Sequence, residues 1–312
     1  MTLPAANQWR LRLQKLTRRP WGAILEFTGP ALLLYVAFTI VPLLVTLFNS
    51  VHVLRMDLGM QREFVGLQHY INLFTRDRTF RMAIGHSATW AIVSPLLEIP
   101  LAFVLAYIVH QGVFGARFFR LMWFLPVLIS WVVVGAIFRW VLNYDWGVVN
   151  MVLRGIGLDV LTQNWLGNPT TALSSLIAIT TWKWTGWNFA ILLAAIASIP
   201  EDLLDAACVD GANRFQLIWK IVVPLLRPTL VNLILLCFIG KMKVFDLVWI
   251  MTRGGPLGHT ETVSTYVQKR AFEWYTLDLG YPSAIAVTWF VVVFIAWLFL
   301  TRLFRSREAM EF

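Results

Sequence analysis

Residues 180–188 read TTWKWTGWN, with Trp182, Trp184 and Trp187 surrounding Lys183, and Thr181, Thr185 and Asn188 adding hydrogen-bonding groups. Indole rings stack on the apolar faces of a polyhydroxylated ligand, and side-chain hydroxyls and amides pair with its OH groups. The same residue types also serve as an interfacial belt or as helix packing, and both readings stand at this stage.

Lys183 is one of six charged residues inside otherwise apolar stretches; the others are Glu98, Arg139, Lys241, Lys243 and Asp246. Charge in such a setting is costly, so each is expected to face water, a partner charge or a ligand. Cations outnumber acids by 4 to 2. Arg139, in Phe138-Arg139-Trp140, is placed to snorkel to an interface. Lys243 and Asp246, on either side of Phe245, read as structural. Lys183 and Lys241 then either meet an anionic ligand or are neutralised by Glu98.

Enzymatic chemistry finds no support. His52, His69, His86, His110 and His259 are scattered, and none shows the i, i+4 spacing of a helical metal site with an intervening Glu. No Gly-x-Ser-x-Gly element and no phosphate-binding Gly-x-x-x-x-Gly-Lys loop occurs, so no catalytic or metal-ligating residue is assigned.

The elements that must position these residues follow from composition. The chain has 312 residues, of which 58% are hydrophobic and 14% charged, with mean hydropathy +0.68. That balance belongs in lipid. Six stretches are long and apolar enough to cross a bilayer: about 29–50, 83–109, 119–142, 171–197, 229–252 and 283–303. Each must satisfy its own backbone hydrogen bonds, which predicts an all-α, polytopic bundle of six transmembrane helices. Residues 1–28 form a basic tail, 29–303 the membrane domain and 304–312 a short second tail.

Six spans put both termini on one side, together with loops near 110–118 and 198–228. That side carries 13 cations against 9 on the other, and the tail holding Arg10, Arg12, Lys15, Arg18 and Arg19 weighs the same way. Both termini are therefore expected in the cytoplasm. Anionic headgroups account for the net charge of +9, without nucleic acid. The first span is too long for a signal-peptide core and has no small-x-small site close behind it, so it is expected to persist as a helix. Cys208 and Cys237 fall in different environments and are read as unpaired packing residues.

Between the fourth and fifth spans lies IPEDLLDAACVDGANRFQLIWKIVVPLLRP, residues 199–228. Glu201 opens a Leu- and Ala-rich helix to about Val209, Asp210-Gly211 breaks it, and a helical pattern resumes from Asn213 until Pro224 and Pro228. The result is a short helix, a corner and a second short helix outside the membrane, with Gly211 where a side chain would obstruct the turn.

This cassette resembles the cytoplasmic loop of binding-protein-dependent ABC importer permeases. Asp205-Ala206-Ala207, Asp210-Gly211-Ala212, Phe215, Ile221, Pro224 and Pro228 stand at the family's spacing, with Asp205 where Glu is usual. The resemblance runs from about residue 29 to 303. With Ile199-Pro200 and Gly254-Gly255-Pro256, it points to the carbohydrate-uptake branch, of the maltose and glycerol-phosphate permease type, in its compact six-span form.

The resemblance implies a multi-pass subunit of the bacterial cytoplasmic membrane that forms half of a path for a sugar, oligosaccharide or polyol. It implies as partners a second homologous permease, two ATP-binding subunits that hold ATP and Mg, an extracytoplasmic solute-binding protein and membrane lipids. No cofactor is expected in this chain. Glu201, Asp205, Ala206, Ala207, Asp210, Gly211, Ala212 and Phe215 become the coupling helix that inserts into an ATPase cleft. The family's sugar-contacting stretches fall on 181–188 and 237–244, which adds Cys237 and Val244 to Lys241 and to the fourth-span residues. The cation excess leaves the cargo open between an acidic and a neutral carbohydrate.

Overall fold

The computed structural model describes residues 20–55, 61–273 and 278–308. The N-terminal cations from Arg10 to Arg19 and the last four residues of the second tail lie outside the described residues.

All six expected stretches are helical, and two of them are broken. The first is α1 (Pro20–Tyr35), continued through a π turn at Val36–Ile40 into α2 (Val41–Asn49). A hairpin of β1 (His52–Arg55) and β2 (Gln61–Phe64) follows, with His52 opposite Phe64. Next come α3 (Gln68–Thr75) and α4 (Arg78–His110), a helix of 33 residues whose first turn is capped by the Asp77 carboxylate accepting from Phe80 N at 2.8 Å. A Ser or Asp cap of this kind satisfies one of the amides that a helix start leaves free.

The third stretch, expected as one crossing over 119–142, is not a single straight helix. It splits into α5 (Ala116–Leu128) and α6 (Trp131–Val141), which meet at 101°. Pro126 lies in the last turn of α5, Ile129 is extended, and Ser130 caps α6 by accepting from Val133 N. α7 (Val148–Gly155) leads into α8 (Ala172–Ala197). α8 is the central element, lying along both α4 and α5. At 26 residues it is about 39 Å long. The polar run at its middle keeps its hydropathy below that of the unbroken spans, which are Phe27–Asn49, Arg78–His110 and Gly280–Phe304.

The cassette forms α9 (Glu201–Val209), α10 (Arg214–Leu217), a π turn at Ile218–Val222 and α11 (Val223–Leu225). A 67° bend then leads into the fifth stretch, which is itself interrupted: α12 (Arg227–Met242) stops at Lys243, and α13 (Asp246–Met251) restarts after Phe245. α14 (Val263–Gln268) and α15 (Gly280–Glu308) complete the chain.

Three apolar cores hold the bundle. One joins α3, α4, α14 and α15 around Leu73, Phe80, Val263 and Ile285. A second packs the ends of α4 and α8 on α12 through Ala102, Leu192 and Leu233. The third locks α6 and α13 onto α4 and α8 through Trp90, Val134, Leu176 and Val248. Residues facing away from these cores on α2, α4, α5 and α15 are large and apolar, as a lipid-facing surface requires.

Candidate functional site

The polar centre of the bundle is built from α4, α8 and α12. Glu98 is fully buried, and its Oε1 lies 2.6 Å from Lys241 Nζ. Among the described residues, neither atom has another hydrogen-bond partner. Glu98 Oε2 accepts from Asn188 Nδ2 at 3.4 Å and faces Cys237 Sγ at 3.9 Å. Lys241 Nζ also sits 5.4 Å from the centre of the Trp184 ring. Glu98 therefore neutralises Lys241 and not Lys183, which decides between the two pairings open from sequence.

Lys183 does something else. Its Nζ donates to the carbonyl oxygens of Pro126 at 2.8 Å, Val127 at 3.0 Å and Ile129 at 2.5 Å, and stands 5.1 Å from the Trp131 ring centre. Those carbonyls lie where α5 runs out of helical partners, although Pro126 O also accepts from Ile129 N at 3.3 Å. The ammonium caps the broken third span from outside it. The approach is possible because α8 carries Gly186 one turn on, where an added Cβ would lie 2.0 Å from the Trp123 carbonyl oxygen. Any larger residue would push the two helices apart.

A cavity of about 240 Å³ opens beside the Glu98–Lys241 pair. Trp131, Trp184 and Trp187 supply aromatic walls, Thr180 and Asn188 supply hydrogen-bonding groups, and Leu233, Leu236 and Val244 supply apolar surface. The interruption between α12 and α13 brings Lys243, Phe245 and Asp246 to the same space. Lys243 and Asp246, read from sequence as structural, are exposed to it.

Of the residues placed on a substrate path, Trp184, Trp187, Asn188, Cys237, Lys241 and Val244 line this cavity. Four do not. Trp182 turns to the other side of α8 against Phe138, with ring centres 5.2 Å apart. Thr185 is buried and donates to the Thr181 carbonyl at 2.6 Å, Thr181 is buried away from the cavity, and Lys183 is spent on α5. Arg139 is exposed at the last turn of α6, also away from it. The excess of cations vanishes with these positions: the cavity carries Lys241 and Lys243 against Glu98 and Asp246.

At one end of α8 the cassette forms its corner by backbone hydrogen bonds. Gly211 N donates to Cys208 O and Ala212 N to Ala207 O, each at 3.0 Å, with Gly211 at φ +83°. This double closure is the Schellman end of a helix, and it needs the left-handed residue that glycine supplies. An added Cβ at Gly211 would meet nothing within 4 Å, so the requirement is conformational and not the steric obstruction expected from sequence. Asn213 and Gln216 close a reciprocal capping box at the start of α10. Glu201, Asp205, Ala206, Asp210 and Phe215 are exposed, whereas Ala207 is turned inward, and Cys208 is exposed where packing was expected. Leu203, Val209 and Trp219 add exposed apolar surface beside Phe215.

These features define a membrane-embedded helical subunit with a polar cavity at its centre and an exposed helical cassette at one end. Residues 98–309 match the family described as binding-protein-dependent transport system inner membrane component. The chain is 32% identical over 85% of its length to a trehalose/maltose transport system permease of Thermococcus litoralis, covering 87% of that protein. It is 29% identical over 90% of its length to a sulfoquinovosyl glycerol transport system permease of Agrobacterium fabrum, covering 89% of it. A chain in the crystal structure of a bacterial ABC transporter that imports the acidic polysaccharide alginate superimposes with TM-score 0.80 at 25% identity, over 95% of this chain and 99% of that one. The protein belongs to the binding-protein-dependent transport family and is a permease subunit of an ABC importer.

Proposed function

We propose that this permease imports an uncharged sugar or small oligosaccharide, and that the tryptophan-lined cavity beside Glu98 and Lys241 is its half of the path. The observation that carries this reading is the charge balance of the cavity. Lys241 is held at 2.6 Å by Glu98, and the charges of the exposed Lys243 and Asp246 cancel in the count, so the cavity carries no net positive charge to favour an anionic cargo. Aromatic walls with a few convergent polar groups suit stacking against sugar rings and hydrogen bonding to hydroxyls. The trehalose/maltose permease of Thermococcus litoralis is in keeping with such a cargo.

In the same reading a second, similar permease closes the cavity, and two ATP-binding subunits holding ATP and Mg dock on the cassette. An extracytoplasmic solute-binding protein delivers the cargo, and both termini lie in the cytoplasm. Hydrolysis belongs to the partner subunits. Closure of the ATPase pair would move Glu201 to Asn213 as a rigid lever, because the corner at Gly211 is fixed by its own hydrogen bonds.

A glycan-binding screen on the solute-binding protein encoded beside this permease, followed by uptake into vesicles bearing the whole complex, tests the cargo. Binding and ATP-driven uptake of a neutral sugar are expected, with Trp184→Ala lowering uptake and leaving assembly intact. A binding protein selective for acidic glycans would overturn the neutral cargo, and one that takes no glycan would overturn carbohydrate import itself.

A further inference from the structure

α7 turns Asn150, with half-buried Val149 and Leu153, toward the protein and a wholly apolar stripe away. Val148, Met151, Val152, Gly155 and Ile156 stand at i, i+3, i+4, i+7 and i+8, a single stripe at helical spacing, and all five are exposed. Val148 is 55%, Met151 60%, Val152 55% and Ile156 65% exposed. The opposite side carries Asn150, which is fully buried. Its Nδ2 donates to the carbonyls of Tyr144 and Gln163, each at 3.0 Å, and its Oδ1 accepts from Trp165 Nε1 at 2.9 Å and from Gln163 N at 3.4 Å.

A helix on a water-soluble protein keeps its apolar stripe on the core, whereas α7 presents one outward in addition to the inward Val149 and Leu153. Asn150 uses both its donors and its acceptor on three residues of the two flanking loops, so the stripe is held outward by a satisfied polar anchor. The medium on that side must be apolar.

Two further observations identify it. The stripe follows in the chain on the exposed apolar residues Val132, Val133 and Ile137 of α6, by way of exposed Trp140, Tyr144 and Trp146. The Trp140 and Trp146 rings meet edge to face at 6.2 Å, and Arg154 donates to the carbonyls of Tyr144 and Asp145 while standing 5.6 Å from the Tyr144 ring centre. Aromatic side chains of this kind concentrate at the boundary of headgroups and acyl chains. The stripe also contains no charged residue, whereas a face for a reversible soluble partner is rimmed by polar groups and must tolerate water between encounters.

We infer that α7 lies in the plane of the membrane, its stripe sunk into the acyl boundary of the leaflet opposite the docking cassette. Because Asn150 grips Trp165, whose carbonyl accepts from Thr171 Oγ1 at 3.1 Å at the start of α8, α7 sets the depth of the element that carries the cavity. In-plane amphipathic helices bury an apolar face at the headgroup–acyl boundary in this way.

The test uses the complete complex in phosphatidylcholine vesicles. Nitroxides are attached through Met151→Cys, Val152→Cys and Ile156→Cys in a Cys208→Ser chain, with the chain lacking these substitutions as the labelling background. Asp145→Cys and Asp159→Cys provide references outside the stripe. Oxygen accessibility is expected to exceed that of a water-soluble nickel chelate at the three stripe positions, and the reverse at the references. In parallel, a diazirine-bearing phosphatidylcholine should crosslink within Val148 to Ile156 of the unsubstituted chain. Nickel access at the stripe without crosslinking would overturn the inference. So would shielding that appears only when the solute-binding protein is added, which would make α7 a protein interface.

Discussion

The ammonium of Lys183, near the midpoint of α8, lies 2.8 Å from the carbonyl oxygen of Pro126 at the end of α5. With the bonds to Val127 and Ile129 it satisfies two further carbonyls at a 101° bend, while Pro126 O also accepts from Ile129 N at 3.3 Å. Lys183→Met should cost at least about 2 kcal/mol, since each buried carbonyl left unsatisfied costs about 1–3 kcal/mol. Thermal melting of the detergent-solubilised complex, with new protease cleavage near Ile129, reads this loss. A melting temperature equal to that of the unsubstituted complex would remove the capping role.

The ion pair between Glu98 and Lys241 predicts non-additivity. Removing one buried partner strands the other charge, at about 3–5 kcal/mol, while removing both restores a neutral interior. Glu98→Gln and Lys241→Met are each expected to lower assembly yield and melting temperature, and the double variant to recover most of both. Simple addition of the two losses would show that the groups are not coupled.

Gly186 and Gly85 make a matched contrast. A Cβ at Gly186 would enter the Trp123 carbonyl, whereas one at Gly85 would meet nothing within 4 Å. Gly186→Ala should therefore separate α5 from α8 and carry Lys183 away from its acceptors, with a stability loss at least equal to that of Lys183→Met. Gly85→Ala should be neutral or stabilising by up to about 1 kcal/mol, the helical advantage of alanine over glycine. Comparable melting temperatures for the two variants would contradict the close approach.

At the cassette corner the expected order is set by backbone conformation. Gly211→Asn should keep most ATP-driven uptake, because asparagine visits the left-handed region, while Gly211→Val should lose it, at a backbone cost of about 1–2 kcal/mol. Membrane insertion of both should be normal. Equal transport by the two would show that the Schellman corner is dispensable for coupling.

The cassette was legible because its signals are local. Glu201, Val209, Gly211 and Asn213 mark helix ends through proline, glycine and capping chemistry within a few residues of each other, and the structure places the ends of α9 at those positions. The break in the third span was not legible. Pro126 and the Ser130 cap are its only local marks, inside an otherwise apolar run, and its stabilising cation arrives from 57 residues downstream. The β1–β2 hairpin was missed because its strands have only four residues each. The cavity lay between these cases. Thr180, Trp184, Trp187 and Asn188 fall on one helical face, while Thr181, Trp182, Lys183 and Thr185 lie off it. Treating TTWKWTGWN as one cluster by composition hid a division that its 3.6-residue period contains.

The cap that Lys183 places on α5 also constrains biogenesis. Ribosomal synthesis delivers Pro126 and Val127 well before Lys183, which follows 56 residues after Val127. Carbonyls bared in hydrocarbon cost several kcal/mol apiece, so the nascent α5–α6 segment cannot be released into lipid as an independent unit. It has to wait in a hydrated or protein-lined setting at the insertion machinery until α8 emerges, and the two must partition together. A larger fraction of Lys183→Met chains should consequently linger at the translocon and be degraded, a loss visible by pulse labelling, while the remainder assembles into the less stable complex.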